Sequence, residues 1–81
     1  MEYIKLYVYK NGEYFDGIDY DDFDEALDVA LENGCDEIEM HIWENRDSYN
    51  NYEPAEKQLL AWSVDEGVIT YDENYNKVNI K

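Results

Sequence analysis

From Met1 to Lys10 the side chains alternate. Ile4, Leu6 and Val8 fall on one face and Tyr3, Lys5, Tyr7 and Tyr9 on the other, the period of a strand with one buried face. Asn11-Gly12 follows, a pair that suits the type I′ turn because both central positions of that turn need positive φ. Glu13-Tyr14-Phe15-Asp16 then pairs back as a second strand, which Gly17 ends or bulges.

The period next changes from two to 3.6. Phe23, Ala26, Leu27, Ala30 and Leu31 mark the apolar face of a helix that Asp21 or Asp22 caps, Asp22 and Glu25 having the capping-box spacing, and Gly34 after Asn33 stops it. Alternation returns from Asp36 to Glu44, with Ile38, Met40 and Ile42 toward the helix and Glu37, Glu39, His41 and Trp43 outward. Arg46 to Lys57 is polar and holds the one proline, Pro54, so it reads as a long loop ending in a helical turn at Pro54-Ala55-Glu56. Gln58 to Val64 predicts a fourth strand with Leu60, Trp62 and Val64 on one side. Val68 to Tyr71 and Tyr75 to Ile80 predict a closing hairpin. The expected fold is α+β in β-β-α-β-β-β order, a mostly antiparallel sheet of about four to six strands with one acidic helix on one face. Residues 1–81 form a single domain, without repeat or linker.

Charge sharpens this picture. The net charge is −15, from 21 acidic residues against six Lys and Arg, which argues against direct binding to nucleic acid or to anionic membranes. No apolar run is long enough to span a bilayer and no basic segment precedes an apolar one at the start, so the expected location is the cytoplasm. Nine Tyr and two Trp set the chain apart from disordered acidic sequences. Cys35 is the one cysteine, which excludes an internal disulfide and a thiolate zinc site. Five Lys against one Arg, with many Asn, Ile and Tyr, resembles the output of an AT-rich genome more than a halophile's.

The acids are also unevenly placed. Thirteen of them, Glu13, Asp16, Asp19, Asp21, Asp22, Asp24, Glu25, Asp28, Glu32, Asp36, Glu37, Glu39 and Glu44, lie between Asn11 and Asn45 with no Lys or Arg among them. On the helix, Asp21/Glu25, Asp24/Asp28 and Asp28/Glu32 are like-charge neighbours four apart, each pair costing about 0.2–0.5 kcal/mol. Such rows can imitate the phosphates of a nucleic-acid strand and occupy a Lys/Arg-lined groove, with released counterions supplying much of the affinity. The partner-binding residues expected on this basis are Asp21, Asp24, Glu25, Asp28 and Glu32 on the helix, with Glu37, Glu39 and Trp43 on the adjoining strand, Trp43 as a steric anchor.

In size, charge and the acidic segment Glu13 to Glu44, the chain resembles the small DNA-mimic inhibitors of phages and mobile elements, the anti-CRISPR, antirestriction and uracil-glycosylase inhibitor proteins. Its order of hairpin, acidic helix and acidic strand is also similar to the first domain of the antirestriction proteins of conjugative elements. The resemblance implies an inhibitor whose partner is a nucleic-acid-binding protein of host defence. It covers about half the chain and carries over no individual residue.

Other readings are weaker. Tyr3, Tyr7, Tyr9 and Trp43, opposite the apolar face, suit a non-catalytic interaction module or a homodimer that is acidic for solubility; the C-terminal strands are the other candidate cover for that face. His41 between glutamates is the one histidine, and no nucleophile, base and orienting group assemble around it, so no catalytic residue and no cofactor are expected. Asp16, Asp19, Asp21, Asp22 and Asp24 offer hard oxygen ligands but lack the Gly at the sixth position and the Glu at the twelfth of a calcium loop, so no metal site is assigned.

Overall fold

Asn11 and Gly12 turn the chain at φ of 53° and 82°, left-handed values that asparagine and glycine tolerate. They join β1 (Tyr3–Lys10) to β2 (Glu13–Asp19). The computed structural model describes residues 1–78. After β2 a 3-10 turn (Tyr20–Asp22) leads into α1 (Phe23–Asn33), which carries the chain across β1 to β3 (Glu37–Trp43) on its far side. Then come α2 (Arg46–Asn50), β4 (Lys57–Ser63) and β5 (Gly67–Val68), completing a five-stranded antiparallel sheet in the order β2-β1-β3-β4-β5. A separate ribbon pairs β6 (Thr70–Tyr71) with β7 (Lys77–Val78).

The alternating residues meet across the sheet. Leu6 lies opposite both Ile18 and Met40, and Val8 opposite Ile38, so one face is a continuous apolar surface on which α1 packs. Ala26 and Ala30, both wholly buried, are the contact residues of the helix; their small side chains let its backbone lie close to the sheet. Gly34, at φ 68°, donates its N–H to the Ala30 carbonyl and ends the helix.

Several details depart from expectation. Leu31 is 68 % exposed. Burial centred on Ala26 and Ala30, with Phe23, Leu27 and Val29 flanking, leaves Leu31 about 120° from the middle of the buried face at 3.6 residues per turn, among the acids. No side-chain bond caps α1, so the Asp22/Glu25 capping box does not form; Asp22 has φ −105° and ψ 41°, where the 3-10 turn runs into the helix. Gly17 lies within β2, and the bulge falls one residue pair earlier, where Tyr14 opposes Tyr9 and Asp16 opposes Val8, leaving Phe15 unpaired.

The helical turn after β3 comes at the start of its loop. Asn45 accepts the Ser48 backbone N–H at 2.9 Å and so caps α2, whereas Pro54-Ala55-Glu56 is non-helical. A second bulge, at Ala61, puts Trp62 opposite Ile38 on the apolar face and Leu60 opposite Glu39 on the other, so the two do not share a side, and Val64 lies beyond the strand, exposed. Leu59, opposite Met40, takes the core position. Ile69 interrupts the strand expected from Val68 to Tyr71. Its N–H bonds to Ala61, so Val68 belongs to the main sheet and Thr70 to the ribbon. The last three residues of the expected strand and tail, 79–81, lie outside the described residues.

Candidate functional site

Two surfaces flank the sheet, and the acids expected to act together are divided between them. Asp21, Asp24, Glu25, Asp28 and Glu32 are all exposed on α1 and the turn before it, on the side of the helix away from Ala26 and Ala30. Glu37, Glu39 and Trp43 alternate with the core residues Ile38, Met40 and Ile42, so they belong to the opposite face of the sheet. The structure therefore does not join the eight residues into one surface. The physical reason is the two-residue period of β3: side chains that point away from the helix lie on the far side of the sheet from it.

The helix surface is continuous. From Asp21 to Glu32 the axis advances about 17 Å, so the five carboxylates stand on average about 4.3 Å apart along it. One strand of a duplex carries a charge about every 3.4 Å of its axis, somewhat denser than this row but of the same order. Among the described residues none of the five is in an ion pair. Nor does any cation occupy the last turn of α1, where the helix dipole favours one. Of the thirteen acids between Asn11 and Asn45, Asp19 is paired with Lys5 at 3.2 Å, and Glu39 shares a hydrogen bond with His41 at 3.0 Å. Leu31 lies within this acid face.

The opposite face is a chain of rings in tilted and edge-on contact. Tyr49 of α2 rests on Tyr3 at 4.7 Å and against Trp43 at 5.0 Å between centroids. His41 meets Tyr7 at 4.4 Å with the rings tilted, and Tyr7 in turn meets Tyr14 at 5.9 Å. Gly17, opposite Tyr7, gives these rings room: a Cβ there would stand 3.0 Å from the Tyr14 hydroxyl. Trp43 is only 7 % exposed, and its indole N–H donates to the Glu53 carbonyl at 2.7 Å. Covered by the loop that α2 begins, it is a structural side chain and cannot serve as the steric anchor for a partner. Among the described residues the C-terminal strands do not cover this side, since Tyr71 and Tyr75 pack against the core on the helix face.

Burial shifts the ionisable groups of the ring face. It raises the Tyr7 and Tyr9 hydroxyls, Tyr9 further through the neighbouring Glu39 carboxylate. Burial pulls Lys5 down, but its hydrogen bond to Asp19 and the nearby tyrosines outweigh that and leave it raised. The rings and pairs on this face are thus largely occupied with one another. Tyr14, 61 % exposed, is its most open ring on the strands.

Beside the N-terminal end of α1 a groove of about 630 Å³ opens between the helix, the sheet and the ribbon. Ile4, Leu6, Met40 and Ala61 form its floor, and Phe23, Ile69, Tyr71 and Tyr75 its walls, with Asp21, Asp72 and Glu73 among its exposed lining. Among the described residues no three His, Cys, Asp or Glu side chains converge as metal ligands; Asp16 instead accepts the Gly17 N–H. No helix among them is long and apolar enough to cross a membrane. No family model matches the chain, and no curated protein or solved structure matches it.

Proposed function

We propose that the chain inhibits a nucleic-acid-processing enzyme of host defence by presenting α1 to its cationic groove in place of a nucleic-acid strand. The observation that carries this reading is the outer face of α1, where Asp21, Asp24, Glu25, Asp28 and Glu32 stand exposed, without an ion-pair partner among the described residues, at an axial spacing of the same order as the charges of one DNA strand. A domain of this size has only a few kcal/mol of net stability, so a self-repelling helix face is a cost that a binding role accounts for. Glu37 and Glu39, on the other face, add to the long-range field that steers a cationic partner without touching it. The reading places the protein in the cytoplasm, where such enzymes work.

Capture from a bacterial lysate on the tagged protein tests it. One nucleic-acid enzyme retained at low salt and displaced by duplex DNA agrees with the proposal. A retained protein that ignores DNA and survives high salt would point to an interface through the aromatic face and remove the ground for mimicry.

A further inference from the structure

The groove beside α1 has a composition of its own. Its floor is apolar and its walls mostly aromatic, yet its exposed lining includes Asp21, Asp72 and Glu73 and, among the described residues, no Lys, Arg or His. Its volume, about 630 Å³, lies within the range of pockets that bind ligands, about 300–1,000 Å³. An apolar floor beneath a negative mouth suits a ligand with a hydrocarbon stem and a cationic head. Such a cation already meets one of the walls, since Lys57 Nζ stands 5.4 Å from the Tyr75 ring centroid.

We propose that this groove receives one arginine side chain of the protein partner, its methylenes on the Met40 and Ala61 floor, its guanidinium beside the aromatic walls and bonded to Asp21 and Glu73. Arginine fits better than lysine because its planar, weakly hydrated head stacks on rings while its N–H groups reach carboxylates. Among the described residues Asp21 and Glu73 accept no side-chain hydrogen bond, whereas Asp72 Oδ1 is taken by the Asn74 and Asn76 N–H groups. Asp21 also begins the acid row of α1, so a cationic surface laid along the helix arrives at the groove. A second copy of this chain is a poor occupant. It carries the same net charge of −15, and its one arginine, Arg46, stands over the Tyr3 ring. The inference rests on the proposed cationic partner for the source of the side chain; the chemistry of the groove can be tested without that partner.

The test is a ¹⁵N–¹H NMR titration of the full chain with N-acetylarginine methylamide, beside N-acetylnorleucine methylamide and guanidinium chloride. The arginine probe is expected to give saturable shifts at Phe23, Ile69 and Thr70 that neither control reproduces. In Asp21→Asn/Glu73→Gln, which alters exposed side chains only, the affinity is expected to fall about fivefold. In Asp24→Lys/Asp28→Lys the groove should bind the probe as before. Absence of saturation, equal affinity in the Asp21/Glu73 variant, or binding only after residues 79–81 are removed, which would make the chain's own end the occupant, each overturns the proposal. Saturable binding in a protein that captures no DNA-displaceable enzyme would support the groove and count against mimicry alone.

Discussion

Replacing Asp28 by lysine should make the protein more stable, an unusual result for a substitution on a helix. Asp28 is exposed, its side chain makes no hydrogen bond among the described residues, and it has Asp24 four residues before it, Glu25 three before and Glu32 four after. Each neighbour now repels it by about 0.2–0.5 kcal/mol and would attract a lysine by about as much, so three pairs set a ceiling of about 3 kcal/mol. One ammonium cannot engage three carboxylates together, and exposed pairs are screened, which brings the expected gain to about 1 kcal/mol. For a domain of this size that raises Tm by about 4–8 °C. Thermal unfolding followed by circular dichroism at low salt measures it, with Asp28→Ala as control for helix propensity. At about 1 M salt the Debye length falls to about 3 Å, below the spacing of the pairs, and most of the electrostatic gain should vanish while the propensity share persists. A lysine variant that is neutral or less stable at low salt, or whose gain ignores salt, would refute the claim that α1 is held under self-repulsion.

The other predictions address the remaining parts of the structure. Trp43→Ala should cost about 3–5 kcal/mol in urea unfolding, because the ring is buried and bonded to Glu53; a mild loss of stability with a large loss of partner binding would restore its role as an anchor. Gly34→Ala should cost about 1–2 kcal/mol in the same assay, since φ is 68° there, and a neutral result would argue against that helix end. The Tyr75 hydroxyl donates to the Glu2 carboxylate, which with burial lifts its pKa to about 12. Because the folded value is raised, the stabilisation is complete below the unfolded tyrosine value of about 10 and is lost as pH climbs from about 10 to 12. Ultraviolet titration should show a late tyrosine that Tyr75→Phe removes; unchanged curves would contradict the contact.

Much of the fold was legible because local period and turn chemistry coincide with it. The alternation of Ile4, Leu6 and Val8, the Asn11-Gly12 turn and the run from Glu37 to Trp43 each mark an element that forms. What was not legible depends on distant contacts. The burial of Trp43 comes from Glu53 and Tyr49, further along the chain, and the bulge at Ala61 reverses Leu60 with no glycine or proline to announce it. Leu31 read as core because it follows Leu27 by four, yet the close fit of Ala26 and Ala30 on the sheet decides which stripe faces inward.

The division of the candidate site was readable in principle. A strand whose Ile38, Met40 and Ile42 face the helix must turn Glu37 and Glu39 the other way, so the joint surface conflicted with the alternation that located the strand. The acid row of α1 was legible in full, because exposure on a helix follows from spacing once the buried stripe is known. The groove was not, since the elements that form it come from opposite ends of the chain.

The central claim, that the outer face of α1 is the contact surface, is tested most directly by lysate capture on three baits in parallel: the native protein, Asp24→Lys/Asp28→Lys, and Tyr14→Ala. The account predicts that one DNA-displaceable enzyme is retained by the native and Tyr14 baits and lost from the helix variant. Retention on the helix variant together with loss from the Tyr14 bait would contradict it and assign the contact to the aromatic face.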